Sequence, residues 1–268
     1  MTARHALAEA AARLAFSATA RLDAELLMAH ALGIERSVLL LDVHRETPPA
    51  FAALVERRVA HEPVAYITGN RGFWTIDLAV GPGVLVPRAD SETLIEAAIA
   101  HFGVGAPATI LDLGTGSGAL LLAALDQWPE ATGVGVDMAG AAIEIARGNA
   151  ERLGMKNRAR IVRGGWGGVG GLHDLILCNP PYIALDESLP EEVARYEPPC
   201  ALFAGVDGLD DYRAIAPLLR AQLAPGGAAI LEIGSTQAEA VTALLGTQGF
   251  AVTPRRDLGG RPRALVAT

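Results

Sequence analysis

The sequence predicts an α/β fold in which a small helical domain precedes a mostly parallel sheet covered by helices. Three observations support this: apolar residues recur at helical spacing up to residue 69, the apolar period changes at residue 73, and strand-like and helix-like segments alternate from residue 105 onward. We therefore expect a helical domain at 1–72, a hairpin and linker helix at 73–104, and the main α/β domain at 105–268.

The N-terminal domain is predicted from two apolar stripes. One occupies 22–32 and is followed by Gly33, a residue that favours helix ends. The second occupies 51–59 and is limited by Pro63. Both stripes are expected to form the core of this domain.

A β-hairpin and a further helix are predicted next. Residues 73–80 are strand-like, Gly81-Pro82-Gly83 is typical of a turn, and 84–86 is expected to be the returning strand. Asp90 or Ser91 is expected to cap the helix that follows.

The alternation that follows predicts parallel strands joined by helices. Strands are expected at 109–113, 132–136, 160–162, 175–178, 228–233, 250–253 and 264–267, and helices at 119–127, 141–153, 212–223 and 238–245. The glycine-rich run 164–171 is expected to be an irregular loop.

Composition limits the classes of function. The chain has 268 residues, 51% of them hydrophobic, and no apolar run long enough to cross a bilayer. Its formal net charge of −8 argues against a general nucleic-acid binder, which needs a basic surface. Cys178 and Cys200 fit neither a zinc-ligand spacing nor a disulfide framework, and Glu9 and Arg13 interrupt an N-terminal stretch that faintly resembles a secretory signal. We expect a cytoplasmic protein that binds no membrane, nucleic acid or metal.

A glycine-rich loop joins the first strand of the α/β part to its first helix. It reads Gly114-Thr115-Gly116-Ser117-Gly118. Glycine permits positive φ and close approach of a ligand, and the following helix N-terminus attracts an anionic group. Asp137 ends the next strand, where a carboxylate can accept hydrogen bonds from both hydroxyls of a ribose. Loop and acid predict a nucleoside-containing cofactor, while Asp112 is expected mainly to orient the loop.

The tetrad Asn179-Pro180-Pro181-Tyr182 follows another predicted strand and is the most specific motif in the chain. An amide nitrogen attacks a sulfonium methyl group only when its lone pair points at the methyl carbon. The Asn179 side-chain carbonyl and the Pro180 backbone carbonyl can accept both N–H groups and hold that orientation. The prolines stiffen the loop, and Tyr182 offers an aromatic face to a planar amide. A plain proline-rich turn is the alternative interpretation.

These motifs resemble those of the HemK/PrmC family of peptide chain release factor glutamine methyltransferases, and the resemblance covers nearly the full chain. Further matching segments are Asp23-Ala24-Glu25-Leu26-Leu27, Arg57-Arg58 with Glu62-Pro63, Tyr66-Ile67-Thr68-Gly69, Phe73-Trp74, Val86-Pro87-Arg88, Asn149-Ala150, Tyr196-Glu197-Pro198 and Asp207-Gly208-Leu209.

The resemblance implies a class I methyltransferase fold, with a Rossmann-like seven-stranded sheet and an N-terminal domain that docks the protein substrate. It implies S-adenosyl-L-methionine as methyl donor, S-adenosyl-L-homocysteine as product, and the glutamine of a Gly-Gly-Gln tripeptide in release factors as target. The cofactor would contact the glycine loop, Asp137, Asn179 and, at its adenine, Trp166. The tetrad would bind the glutamine and carry catalysis, with Arg88 and Glu92 near the mouth of the site.

Two positions depart from the family pattern. Ala89 stands where a proline is usual, which loosens the segment before the helix. Gly165 stands where an aspartate is usual, which removes an acceptor for the adenine amino group. We therefore expect the cofactor to depend more on Trp166 and Asp137.

Two other enzyme classes remain as alternatives. Adenine-amino methyltransferases that act on DNA or RNA carry a similar tetrad, but they need a basic cleft for an extruded base. An NAD-dependent dehydrogenase would use a G-x-G-x-x-G spacing, whereas this loop has G-x-G-x-G.

Overall fold

The computed structural model describes residues 1–167 and 169–268, and its contacts divide the chain into two compact units. The first comprises Met1–Asn70 with Leu189–Tyr196, and the second comprises Arg71–Ser188 with Glu197–Thr268. Gly168, which belongs to the expected irregular loop 164–171, lies outside the described residues. In the described part of the chain, no helix has the length and apolar character needed to span a membrane.

The first unit is helical, as predicted. Its N-terminal helices are α1 (Ala3–Arg13), α2 (Ala20–Leu32), α3 (Arg36–Leu41), α4 (Ala50–Val59) and α5 (Val64–Thr68). The predicted stripes supply much of its core, since Leu27, Phe51 and Val55 are buried together, whereas Leu22 at the start of the first stripe is exposed. Gly33 ends α2 with φ of 65°, a left-handed conformation in which glycine is favoured.

A buried ion pair links α2 to α4 within this unit. Arg58 Nε donates to Asp23 Oδ2 at 2.9 Å, and the two side chains are 5% and 7% exposed. Ser17 and Thr19 also donate to the Asp23 carboxylate, each at 2.8 Å. These hydrogen bonds offset the loss of hydration that burial of the charges entails.

A segment from late in the chain completes the first unit. The sequence did not predict this helix, Glu191–Tyr196, because it is short and has no buried residue. Arg58 Nη1 contacts Glu192 Oε2 at 2.6 Å, and the Tyr196 hydroxyl donates to the Ala60 carbonyl at 2.8 Å. Polar contacts therefore hold this segment in the unit.

The second unit is an α/β structure. Its helices are α6 (Glu92–Phe102), α7 (Ala119–Gln127), α8 (Gly140–Arg152), α10 (Asp210–Leu219) and α11 (Ala238–Thr247), with Glu191–Tyr196 numbered α9. Its strands are β1 (Asn70–Phe73), β2 (Ile76–Ala79), β3 (Thr109–Leu113), β4 (Thr132–Asp137), β5 (Ala159–Arg163), β6 (His173–Cys178), β7 (Leu223–Glu232), β8 (Val252–Arg256) and β9 (Pro262–Ala267).

A β-hairpin is present in the predicted region, but its strands and its turn lie at other residues than predicted. β1 and β2 form a two-stranded sheet joined at Trp74 and Thr75, where Trp74 adopts φ of 54°. The expected returning strand at 84–86 is wrong, since these residues form no strand. Gly83 does not belong to the hairpin turn, and close packing explains why this residue is a glycine. A Cβ there would lie 2.8 Å from the Ala141 Cβ, so glycine lets the chain pass close to α8.

The main sheet confirms the predicted fold class. Its seven strands are ordered β5-β4-β3-β6-β7-β9-β8. β3 pairs in parallel with β4 and β6, as do β4 with β5 and β6 with β7, whereas β9 is antiparallel to β7 and β8. A core that includes Leu111, Ile176, Leu231 and Leu265 lies on this sheet.

Ser91, one of the two predicted residues, stands at the N-cap position of α6, but its side chain does not form the expected capping hydrogen bond. A short 3₁₀ turn, Ala89–Ser91, leads into the helix, and Ser91 makes no side-chain capping hydrogen bond. Its hydroxyl instead accepts a hydrogen bond from the Asn179 side chain. A tertiary contact has replaced the local one that the sequence predicted.

Asn149 joins three parts of the second unit. This fully buried residue of α8 accepts from the Ala79 amide at 2.8 Å and donates to the Ala79 carbonyl at 2.9 Å. It also donates to the Ser117 carbonyl at 2.9 Å. One side chain thus provides hydrogen-bond partners for backbone groups at the end of β2 and in the turn before α7.

Asn149→Ala is expected to destabilise the protein by on the order of 1–3 kcal/mol, because the backbone groups that it pairs lose their partners. Urea unfolding of the parent and the variant measures this difference. The exposed Asn157 provides the matched control, and Asn157→Ala should change stability by no more than about 0.5 kcal/mol. Equal effects of the two substitutions would contradict the linking role of Asn149.

Candidate active site

A cavity of about 320 Å³ opens at the carboxyl ends of β3, β4 and β6. The strands place the predicted residues there because parallel strands end at a common edge. Residues singled out from the sequence that line the cavity are Gly114, Thr115, Gly116, Ser117, Asp137, Gly165, Trp166, Asn179 and Pro181. Gly118, Pro180 and Tyr182, also singled out, do not line it.

The glycine loop follows β3 in a conformation that side chains disfavour. Gly114, Gly116 and Gly118 have φ of 74°, 55° and 85°. A Cβ on Gly114 would lie 3.2 Å from the Trp166 ring, whereas one on Gly116 would meet no atom within 4 Å. The loop backbone is therefore open towards the cavity at Gly116.

Asp137 fastens this loop to the end of β4. Its Oδ2 accepts from the Gly116 amide and its Oδ1 from the Ala139 amide, each at 2.9 Å. A carboxylate oxygen can accept more than one hydrogen bond, so both oxygens retain capacity for a ligand. The carboxylate is thus held in place by the backbone on the cavity wall.

Asp112 lies beneath the loop and is 1% exposed. Its Oδ2 accepts from Thr115 Oγ1 at 2.6 Å and from the Leu121 amide at 3.3 Å. Its Oδ1 has no hydrogen-bond partner among the described residues. Burial raises the pKa of this carboxyl to about 7, although the two hydrogen bonds oppose the rise. These contacts fit the predicted role of orienting the loop.

Trp166 also lines the cavity, with its ring close to Gly114. Its indole nitrogen donates to Asp211 Oδ1 at 3.0 Å. Burial raises the pKa of Asp211, and the hydrogen bond from Trp166 opposes that rise. Asp211 also lines the cavity and was missed by the sequence analysis, because an acid in the first turn of a helix is unremarkable.

Asn179 and Pro181 bring the tetrad to the cavity, while Pro180 is buried beneath it. Asn179 Nδ2 donates to Ser91 Oγ at 3.3 Å. None of the described residues donates to Asn179 Oδ1, so this acceptor is available at the cavity wall. The arrangement can accept an N–H group from a ligand.

Tyr182 anchors the end of the tetrad. Its hydroxyl donates to Glu232 Oε1 at 3.1 Å, and its carbonyl accepts from Gln237 Nε2 at 2.9 Å. Burial and the nearby Glu232 carboxylate raise the pKa of the phenol. The aromatic face that the sequence analysis assigned to substrate binding stays a prediction, since the ring is not part of the cavity wall.

The segment before α6 reaches the cavity through Pro87 and Ser91. Arg88 forms an ion pair with Glu197 at 2.5 Å, and Glu92 accepts from the Trp74 amide at 2.9 Å. Neither Arg88 nor Glu92 lines the cavity, so neither would contact a ligand there directly.

The groups around the cavity indicate which kind of cofactor it suits. The open loop backbone, the fixed Asp137 carboxylate and the Trp166 ring suit a nucleoside with polar substituents. Among the described residues, no group of three or more His, Cys, Asp or Glu side chains is placed to hold a metal ion.

Sheet order, glycine loop and acidic strand end define a class I methyltransferase. Residues 106–165 match the family model described as "Methyltransferase domain". A methyltransferase from Pyrococcus furiosus shares the fold, with a TM-score of 0.54 and 19% identity over 79% of this chain and 95% of that chain.

The helical unit and the relatives that match most of the chain indicate the family within this class. Residues 5–69 match the model described as "PrmC N-terminal domain". A release factor glutamine methyltransferase of Rhodospirillum rubrum is 45% identical over 92% of this chain and 78% of its own length. One from Cereibacter sphaeroides is 43% identical over 100% of this chain and 98% of its own length. The chain belongs to the release factor glutamine methyltransferase family, which confirms the predicted family and excludes a dehydrogenase.

Asp112 is expected to make stability fall as pH rises. Its folded pKa of about 7 exceeds the ordinary value of 3.8, so the folded state holds the proton more tightly. Its contribution is complete below about pH 4 and is lost as pH rises through about 7. Urea unfolding should show the stability difference between Asp112→Asn and the parent shifting by roughly 1.4 kcal/mol per pH unit across that window.

The exposed Asp186 supplies the control for this measurement. Asp186→Asn should leave the pH dependence of unfolding as in the parent. A difference between Asp112→Asn and the parent that stays constant from about pH 4 to about 7 would rule out a proton held by Asp112.

Proposed function

We propose that this protein binds S-adenosyl-L-methionine in the cavity and methylates the side-chain amide of a glutamine in peptide chain release factors. The observation that carries the proposal is the position of Asn179, whose side chain lies on the wall that the glycine loop and Asp137 also line. In this proposal, Asn179 supplies an acceptor for the substrate amide on the same wall as the groups that would hold the nucleoside. The names of the relatives supply the protein class of the substrate.

The residues that would hold the methyl donor follow from its chemistry. Both Asp137 oxygens can accept from ribose hydroxyls, the Gly116 backbone leaves room for close approach, and Trp166 presents an aromatic surface for the adenine. When bound, S-adenosyl-L-methionine supplies an electrophilic methyl group on a positively charged sulfur. Asp211 lines the cavity and would be an acceptor that partly replaces the one missing at Gly165.

The glutamine amide would be oriented by the tetrad. Asn179 Oδ1 would accept one N–H of the substrate amide, and the Pro180 carbonyl, although Pro180 does not line the cavity, stays the predicted acceptor for the other. With both N–H groups held, the lone pair of the nitrogen points away from the acceptors, and the charge that develops on nitrogen is stabilised. The glutamine of a Gly-Gly-Gln tripeptide is the target that we propose, because flanking glycines allow a side chain to enter a narrow site.

An adenine amino group presents the same lone-pair requirement, so DNA or RNA methylation is the second candidate. The net charge of −8 disfavours a strong phosphate-binding surface. The relatives named above favour a protein substrate. The position of the transferred label separates these two candidates.

Asp137→Ala is expected to weaken binding of S-adenosyl-L-homocysteine by about 1–3 kcal/mol, because charge-assisted hydrogen bonds are lost. Isothermal titration calorimetry measures the affinity, and the exposed Asp186→Ala variant serves as control. Unchanged affinity in Asp137→Ala would contradict a ribose site at the end of β4.

Asn179→Ala is expected to fold normally, bind the release factor and lose on the order of a hundredfold in the rate of methyl transfer. The test is single-turnover transfer of a radiolabelled methyl group at saturating cofactor and release factor, with the modified residue located by mass spectrometry. Asn157→Ala should transfer at the parental rate. Label on nucleic acid, label on another residue or full activity of Asn179→Ala would each overturn the proposed function or its mechanism.

A further inference from the structure

A second cavity, of about 250 Å³, lies at the amino ends of the strands of the main sheet. Its lining includes Thr109, Thr132 and His173, which are the first residues of β3, β4 and β6. The cavity described above lies at the carboxyl ends of these strands, and the two share no described lining residue. This second cavity, hereafter the amino-end cavity, is therefore separate from the candidate active site.

Three cationic side chains line the amino-end cavity. They are Lys156, Arg158 and Arg160, which lie just before β5 and at its start. None of the described residues that line this cavity is an aspartate or a glutamate. The whole chain has a formal net charge of −8, so its composition does not explain a cavity with cations alone on its walls. Walls of one sign attract a ligand of the opposite sign, here an anion.

The three cations differ in how they are held. Arg158 Nη1 donates to the Leu125 carbonyl at 3.2 Å, which fixes the guanidinium, and Arg158 forms no ion pair with the described residues. Lys156 Nζ lies 2.9 Å from Glu151 Oε1 in an exposed pair. Arg160 is exposed and has neither a hydrogen bond nor an ion pair with the described residues. Arg158 is thus a fixed cation, and Arg160 is an unengaged one.

His173 contributes a buried ring without hydrogen-bond partners. It is 7% exposed, and neither Nδ1 nor Nε2 has a partner among the described residues. A neutral imidazole has one N–H donor and one acceptor nitrogen, and burying them unpaired costs free energy. A half-turn of the ring about its Cβ–Cγ bond exchanges nitrogen and carbon positions, so the ring can offer a nitrogen to a ligand without backbone movement.

The charges around His173 oppose one another. Burial lowers the pKa of the ring, the Asp174 carboxylate opposes this change, and Arg160 lowers the pKa further. Asp174 Oδ2 accepts from the amides of Ala108 and Thr109, each at 2.9 Å, so this oxygen is engaged at the start of β3. Arg160 is close enough to act on the ring. An anion bound by Arg160 would therefore also raise the pKa of His173.

We propose that the amino-end cavity binds a small phosphate-bearing anion, for which Arg158 and Arg160 supply positive charge and His173 supplies a hydrogen bond. Phosphate suits these groups because a guanidinium can donate two parallel hydrogen bonds to it. The volume lies below the roughly 300 Å³ at which pockets for drug-sized ligands begin, which favours an ion or a small ester. This site takes no part in the proposed methylation, so the inference does not depend on that function.

Isothermal titration calorimetry with inorganic phosphate, at constant ionic strength, tests the site. Arg160→Ala and His173→Phe should each weaken phosphate binding at least fivefold relative to the parent. The exposed Arg4 of α1 is the matched control, and Arg4→Ala should bind phosphate as the parent does. A parent without measurable phosphate binding, or an Arg160→Ala variant with parental affinity, would overturn the proposal.

Further ligands distinguish the source of the phosphate group. Tighter binding of ribose 5-phosphate than of inorganic phosphate would indicate a phosphorylated metabolite, and equal or weaker binding would indicate the free ion. A short single-stranded RNA that binds more tightly than either, and loses this affinity in Arg160→Ala, would overturn the proposal in favour of a nucleic-acid surface. Saturating S-adenosyl-L-homocysteine should change phosphate affinity less than twofold, whereas competition would place the anion in the other cavity.

Thermal unfolding gives a second readout of His173. Without phosphate, His173→Phe should melt at or above the temperature of the parent, because an apolar ring replaces an unpaired polar one. Phosphate should raise the melting temperature of the parent and of Arg4→Ala, and that of His173→Phe less than half as much. An equal rise in His173→Phe would overturn the role of His173. Arg160→Ala, which changes an exposed residue, gives the decision if His173→Phe does not fold.

Nuclear magnetic resonance shows whether the anion reaches the cavity or only the surface around Arg160. The chain contains six histidines, so their ring C–H signals are few, and His173→Phe assigns the signal of His173. Phosphate should raise the pKa of His173 in the parent and leave it unchanged in Arg160→Ala. Phosphate binding to the parent without any change at His173 would place the anion outside the cavity and overturn the proposal.

Discussion

The parallel pairing of β3 with both β4 and β6 is the constraint on which the site depends. Leu113 lies in register with Val136 on one side and with Cys178 on the other. The residues that follow these strand ends are therefore brought to one edge, although they are far apart in the chain. From β3 the chain builds the sheet in one direction through β4 and β5, and then returns to β6 and β7 on the other side. Such a reversal leaves a crevice at the strand ends, and the cavity lies there.

Buried acids give this edge its directional character. Asp112 receives hydrogen bonds from Thr115 and the first turn of α7, and Glu232 receives one from Tyr182. Burial raises the pKa of both acids, and when they are ionised they act only as acceptors, so that their neighbours donate to them. The ionised acids, one below the glycine loop and one behind the tetrad, thus determine the direction of the hydrogen bonds that they receive from both loops.

Sequence reasoning recovered the features that local patterns encode. The alternation of strands and helices predicts the sheet, because its core strands are short apolar runs bounded by turns. The glycine loop and the tetrad are contiguous motifs, so their positions at strand ends follow from the element assignment. Gly33 was assigned correctly as a helix end because its left-handed conformation is a local property.

Features that depend on distant partners were not predictable in the same way. Ser91 has the composition of a helix cap, and only the approach of Asn179 shows that its hydroxyl is used elsewhere. Glu232 and Asp211 carry no motif, and their importance arises from burial and from the neighbours that folding supplies. The hairpin turn was misplaced because Trp74 adopts a positive φ that its residue type does not suggest. Helix α9 was missed because its partners belong to residues before 70.

The assignment of α9 to the first unit also bears on how the protein is made. Arg58 and the Ala60 carbonyl obtain partners from Glu192 and Tyr196, which a ribosome adds more than a hundred residues later. A nascent chain that ends before α9 therefore holds a first unit whose polar contacts are incomplete. Much of the sheet, including β3 and β6, has been synthesised by that point. The first unit thus gains its full set of polar contacts only after much of the second unit has been synthesised.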